Sequence, residues 1–165
     1  MDAQALLEAV TAALPGARLR DKTNLPAVEV PLDKLEEAAR RLRTDAVFSF
    51  DMLLAHTAVD WPAENKQEAG QGAAAPCFEL VYILFSTTHG HQLMLLSRVD
   101  RGAPVVPSVS GIWAVAEFLE REVYDLLGVQ YDNHLDLRRV FLEDDWQGFP
   151  LRKDYVDEHM LERPS

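Results

Sequence analysis

Two short apolar runs limit the fold more than anything else in the chain. Leu80-Val81-Tyr82-Ile83-Leu84-Phe85 and Leu93-Met94-Leu95-Leu96 stand on either side of His89-Gly90-His91. Each is far below the roughly 20 residues that cross a bilayer as a helix, and each has the length of a strand. The spacing predicts strands over Cys77 to Thr87 and Gln92 to Val99, joined as an antiparallel hairpin that turns at the glycine. So many positions in both strands are apolar that at least one face must be covered by helices or by another protein.

Helical segments of suitable pattern lie on both sides. Asp2 to Leu14 places Leu6, Leu7, Val10 and Leu14 on one face, and Pro15-Gly16 ends it. Leu25 to Val30 reads as a strand bounded by Pro31. A second helix starts at Asp33, with Glu36 completing a capping-box pattern; Leu35, Ala38, Ala39 and Leu42 form its apolar stripe. Phe48 to Asp60 is apolar but irregular, and reads as a turn or short helix followed by strand-like Thr57-Ala58-Val59. Residues 61–76, rich in Pro, Ala, Gly, Gln and Glu, read as a flexible loop. Pro104 to Gly111 is an extended connector. Ile112 to Leu127 is the clearest helix, with Ile112, Ala116, Leu119, Val123 and Leu126 on one face and Gly128 at its C-terminal end. No repeat and no second domain is visible, so the 165 residues form one unit. The expected class is α+β: helices packed on a small, mainly antiparallel sheet, followed by an extended C-terminal segment over 129–165.

Charge and cysteine usage exclude several functions. A formal net charge of -11 opposes nucleic-acid binding, which needs a basic face, and opposes direct docking on anionic lipid. It leaves basic protein surfaces as counterparts. Cys77 is the single cysteine, too few for an iron–sulfur cluster or an internal disulfide, and its place in an apolar run makes it a small buried hydrophobe. Met1-Asp2-Ala3-Gln4 lacks the basic start of a signal peptide. A cytoplasmic protein is expected, with membrane contact only through partners.

The distinctive chemistry runs from Phe118 to Tyr155. Glu117, Arg121 and Asp125 follow at i, i+4, i+8, and read by periodicity alone as a charge ladder on a solvated helix face. Two basic clusters, Asp136-Leu137-Arg138-Arg139 and Leu151-Arg152-Lys153-Asp154-Tyr155, stand in an otherwise acidic chain beside the turn formers Gly148 and Pro150. Arginine's planar fork binds carboxylates at two points, so it serves where a fixed geometry is needed, within a fold or between subunits.

Three elements in order make the stretch resemble the C-subunit (30 kDa-type) family of complex I, the NADH:quinone oxidoreductase of respiratory chains. Glu120-Arg121-Glu122 with Asp125 and Gly128 matches the family's E-R-E-x-x-D-x-x-G. His134, Asp136, Leu137, Arg138 and Arg139 match H-P-D-L-R-R, and Gly148, Pro150, Leu151, Arg152, Lys153, Asp154 and Tyr155 match G-H-P-L-R-K-D-Y. Phe78-Glu79-Leu80-Val81-Tyr82 and Val106-Pro107-Ser108-Val109 are also similar to the family. Leu135 stands where the pattern has Pro, Phe149 where it has His, and Phe118 where the family often has Trp; Gln92 to Leu96 lacks that strand's usual basic residues. The resemblance implies a peripheral-arm component on the cytoplasmic side of a bacterial inner membrane. It implies packing against the hydrogenase-like large subunit, known as the D subunit, and near iron–sulfur subunits. It also implies no flavin or cluster on this chain, FMN and Fe–S centres being held by partners. The chain stops soon after Tyr155, as a free-standing subunit would rather than a C/D fusion.

Three other readings draw on the same residues. His89, His91 and His134 lack the spacing of metal ligands, and Asp132 to Asp136 lacks the central glycine of a calcium loop. Glu120, Glu122, Tyr124, Asp125, Asp154 and Tyr155 hold the acids and bases of a stand-alone enzyme, but arginines beside the carboxylates favour permanent ion pairs. The same scaffold also serves membrane-bound [NiFe]-hydrogenase or formate hydrogenlyase-type complexes, and the departures at Leu135 and Phe149 suit such a branch.

Overall fold

The hairpin forms the centre of the molecule. A computed structural model describes residues 2–62 and 75–157, so the expected loop over 61–76 lies mostly outside the described residues. Strand β4 (Cys77–Phe85) pairs antiparallel with β5 (Gln92–Asp100), and Gly90 takes the left-handed φ of 66° that the turn requires. On β4 the side chains of Phe78, Leu80, Tyr82 and Leu84 all enter the core, as the period of two demands.

Helix α1 (Ala3–Ala13) begins at Asp2, whose side chain accepts the Ala5 amide at 2.8 Å, and it buries Leu6 and Val10. Strands β1 (Arg18–Leu19) and β2 (Ala27–Glu29) follow. Helix α2 (Leu35–Thr44) buries the expected stripe of Leu35, Ala38, Ala39 and Leu42. Its expected capping box does not form. Asp33 lies inside a 3-10 turn over Leu32–Lys34, in which the Lys34 amide bonds the Pro31 carbonyl at 3.0 Å, and no side chain caps α2.

Strand β3 corrects the reading of Phe48 to Asp60. It is a ten-residue strand, Met52–Trp61, paired antiparallel with β4 along its whole length. A register shift between Leu53 and Ala55 breaks its alternation. The inward side chains beyond the shift include His56 and Asp60, which are buried although polar.

The sheet order is β1-β2-β5-β4-β3, antiparallel except for the parallel β2/β5 pair. Residues of α1, α2 and α3 share one core cluster with the inward side of this sheet. A second, two-stranded sheet joins β6 (Val105–Pro107) in parallel to β7 (Gln130–Asp132). Helix α3 (Ala116–Leu127) connects them and lies against β3. It starts later than the sequence suggests, because Ile112 and Trp113 both turn onto the Val109 carbonyl. After Asp132, turns and bends lead to Asp157 with no helix or strand. This α+β architecture is the expected one.

Candidate functional site

Helix α3 buries charge rather than displaying it. Glu120 and Asp125 are both 0% exposed and Arg121 is 5% exposed, so the solvated ladder read from Glu117, Arg121 and Asp125 is not what forms. Each buried charge instead meets the chain that follows the helix or the connector that precedes it.

Asp125 is the hub. Its Oδ1 accepts from Arg139 Nη1 at 2.8 Å. Its Oδ2 accepts three successive backbone amides, Val140 at 2.9 Å, Phe141 at 2.7 Å and Leu142 at 3.0 Å. Burial pushes this carboxyl's pKa up, but the amides and the Arg139 guanidinium outweigh burial and hold it below the ordinary value. Arg139 Nη2 also donates to the carbonyls of Trp146 and Gly148. One ion pair therefore folds residues 139–148 onto the helix end.

A second clamp lies one turn on. Gly128 caps α3 at φ 75°, and its bare Cα leaves room for Phe149 and Arg152; a Cβ there would come within 2.5 Å of the Phe149 ring. Arg152 donates from Nε to the Leu127 carbonyl at 2.7 Å. Its guanidinium lies between the rings of Phe78 and Phe149, 5.1 and 4.7 Å from their centroids. Leu151 donates its amide to the Leu126 carbonyl. Gly148, at φ 83°, lies under the Tyr155 ring, and Tyr155 donates from its hydroxyl to Asp157. Pro150 is half-buried in the same turn.

The third clamp reaches the sheet. Asp60, 4% exposed, accepts from Arg101 Nε at 2.6 Å and from the Lys153 amide at 2.8 Å. Arg101 turns its other edge to Asp154 at 2.5 Å, and Asp154 lies below the ordinary carboxylate pKa chiefly through that hydrogen bond.

At the start of α3, Glu120 accepts from Ser108 Oγ at 2.6 Å and from the Val109 amide at 2.7 Å. Burial raises its pKa against these bonds. His134 accepts the Asp136 amide at Nδ1, so its proton sits on Nε2, which donates to the Glu117 carbonyl at 3.0 Å. Arg121 donates to the Arg138 carbonyl and lies 3.7 Å from Asp136.

Three comparisons bear on this arrangement. The family model described as the respiratory-chain NADH dehydrogenase 30 kDa subunit matches residues 28–159, which include all three clamps. The chain belongs to that family. Over 141 residues it is 35% identical to the C-type NADH-quinone oxidoreductase subunit of Moorella thermoacetica, covering 86% of each chain. It is 42% identical over 129 residues to the C/D-type NADH-quinone oxidoreductase subunit of Phocaeicola vulgatus, spanning 78% of this chain but 22% of that protein. Among solved structures it resembles the trypsin-resistant fragment 1–134 of Nqo5, with TM-score 0.63 and 26% identity, over 83% of this chain and all of that one. It also resembles a chain of an archaeal respiratory membrane complex, the membrane-bound sulfane sulfur reductase. The TM-score there is 0.73 at 26% identity, over 93% of this chain and 85% of that one.

Within this 30 kDa-type subunit the structure sorts the motif residues by direction. Arg121, Arg139 and Arg152 point inward; Arg138, Lys153 and Glu122 are exposed. Phe149, which departs from the family pattern, supplies an aromatic face to Arg152 and to Arg139. Asp60, Arg101 and Ser108 belong to the site, and sequence reasoning missed them. Phe78 and Ser108 lie in the two upstream stretches that are similar to the family, the only signal for either. Nothing local marks Asp60 or Arg101. The clamped segment leaves large apolar side chains outside, with Leu135 96%, Phe141 65% and Leu151 59% exposed, and Phe118 on the neighbouring helix is 65% exposed. The exposed acids Glu143, Asp144 and Asp145 follow Phe141 closely.

Proposed function

We propose that the chain is the C subunit of a complex I-type NADH:quinone oxidoreductase, a part that places other subunits and performs no chemistry itself. The observation that carries this reading is the C-terminal segment. Buried ion pairs hold it rigid from behind, while Phe118, Leu135, Phe141 and Leu151 face outward. Rigid exposed aromatic and aliphatic anchors are what a protein interface uses. The partner is the hydrogenase-like large subunit, in keeping with relatives named as C/D subunits, and iron–sulfur subunits stand nearby. Electrons pass from NADH through FMN and Fe–S centres of those partners to quinone. No helix among the described residues is long and apolar enough to cross a membrane. The protein sits peripherally on the cytoplasmic side, held there by the complex.

Purification of the tagged full-length chain from native membranes tests this. The hydrogenase-like large subunit and flavin- and nicotinamide-binding subunits are expected as companions, and Phe141→Glu should lower their recovery while the isolated chain still folds. A second reading is supported by the sulfane sulfur reductase likeness: the same scaffold in a related membrane complex with another electron donor, such as a hydrogenase-type machine. Companions that lack a flavin-binding protein, or a large subunit retaining nickel-binding cysteines, would favour that reading. A chain recovered with no companion at all would end both.

A further inference from the structure

The outward face of the five-stranded sheet has the composition of an interior. Register sets it out in rows: Ala55, Ile83, Met94 and Ala27 lie side by side across β3, β4, β5 and β2. On one side of that row stand Met52, Phe85 and Gln92; on the other stand Thr57, Val81, Leu96 and Glu29. An antiparallel sheet with one solvated face ordinarily alternates apolar and polar residues. Here both faces are apolar, yet the helices pack on one; on the other Ala27 and Leu96 are buried beside β1, while Val81, Ile83, Phe85 and Met94 stay partly exposed and Ala55 and Thr57 on β3 exposed. The core cluster takes Phe78, Leu80, Tyr82 and Leu84 from β4 and none of Val81, Ile83 or Phe85. Met52 and Leu54 remain 43% and 44% exposed. Charge enters only at one end, where Arg20 and Arg98 satisfy Glu29 and Glu79 at 3.0 to 3.1 Å.

We propose that this outward face is a second interface, covered in the assembled complex by another subunit that presents an apolar surface with a neutral or basic rim. The inference rests on the reading of the chain as an assembly component, and it uses the sheet face turned away from α3, whose Asp125 holds the Phe141 amide. Two other occupants fit less well. Residues 63–74, which join β3 to β4, read Ala-Glu-Asn-Lys-Gln-Glu-Ala-Gly-Gln-Gly-Ala-Ala and offer no large apolar side chain. A second copy would bring two bodies of charge -11 together. Three rows across four strands span on the order of 200–300 Å², below the roughly 800 Å² per partner of a stable pair. That area suits a contact added within a larger assembly.

The test places a benzophenone amino acid at position 83 of the full chain within the complex purified from native membranes, and separately at position 141. Irradiation at 83 should link the chain to one identified neighbouring subunit. Ile83→Glu should lower recovery of that neighbour at least five-fold and leave thermal unfolding of the isolated chain unchanged. Should Ile83→Glu fail to fold, Thr57→Glu, already exposed on the same face, replaces it. A link from 83 to a second copy or to this chain's own segments overturns the inference, as does no link. A link from 141 with silence at 83 overturns this inference alone. Silence at both, with no companion recovered, overturns the functional reading as well.

Discussion

Arg139 and Asp125 meet through a single nitrogen that serves two acceptors: Nη1 donates to the Asp125 carboxylate at 2.8 Å and to the Asp125 backbone carbonyl at 3.0 Å. The carbonyl belongs to the last turn of α3, where helix geometry leaves acceptors without intrahelical partners. The same guanidinium thus neutralises a buried charge and satisfies a helix end. This is why a segment without helix or strand holds one position.

Removing the carboxylate should release that segment. In Asp125→Ala three amides and the Arg139 guanidinium lose their acceptor together, and breaking a buried pair costs about 3 kcal/mol or more. For a domain of this size that corresponds to a fall in Tm of roughly 6–12 °C. Limited proteolysis should then cut near Phe141 and Leu142 before the sheet. Cleavage no faster than in the unaltered chain would show that the segment is held by other contacts.

The neighbouring arginines should behave oppositely. Arg138 is exposed and pairs with exposed Asp136 two residues away, so Arg138→Ala should shift stability by less than about 0.5 kcal/mol. Arg139→Ala should cost about 3 kcal/mol, because Asp125 is left charged and buried. Urea denaturation of the two variants separates them. Equal losses would contradict the inward and outward assignment.

Much of the framework is readable from the chain. The hairpin, α1 and the end of α3 at Gly128 follow from apolar spacing and glycine. The long strand β3 does not, because its period is broken at Leu53/Ala55 and two of its inward side chains, His56 and Asp60, are polar. Such positions make sense only beside their partners, Tyr131 for His56 and Arg101 for Asp60, which are remote in sequence. The charged face of α3 is opaque for the same reason. Helical periodicity assigns Asp125 to a solvated ladder, and only Arg139, supplied from outside the helix, makes its burial tolerable, as Ser108 does for buried Glu120. The motif order identifies the family without revealing which arginines turn inward.

Gly128→Ala should destabilise beyond the ordinary cost of a left-handed residue. That cost is roughly 1–2 kcal/mol, and a Cβ 2.5 Å from the Phe149 ring and 2.7 Å from Arg152 adds overpacking. A loss of about 3 kcal/mol is expected. Combining it with Phe149→Leu, a smaller and more adaptable side chain, should recover the overpacking part and leave the backbone part. Strict additivity of the two substitutions in a double-mutant cycle would show that the ring does not oppose the Cβ.

His56 should make stability fall with acid in a defined window. The ring is buried, stacked on Tyr82 with centroids 4.0 Å apart. Nδ1 donates to the Val81 carbonyl at 3.0 Å, so Nε2 accepts from the Tyr131 hydroxyl at 2.6 Å. Burial therefore favours the neutral ring, and its pKa is lowered to about 4 from 6.5. Between those values the unfolded chain binds the proton and the folded chain does not. Stability must therefore decline as pH drops from 6.5 to about 4, by about 3 kcal/mol in all. Glu120 acts in the opposite sense. Its raised pKa makes the folded chain hold its proton longer, so its contribution is gained as pH falls through its folded value and lost as pH rises. His56→Gln, which keeps a donor and an acceptor at this position, should flatten the decline and isolate the Glu120 trend. Urea midpoints measured from about pH 7 to about pH 4 would check this, and an unchanged slope in the variant would mean that His56 takes up its proton as readily in the fold as in the unfolded chain.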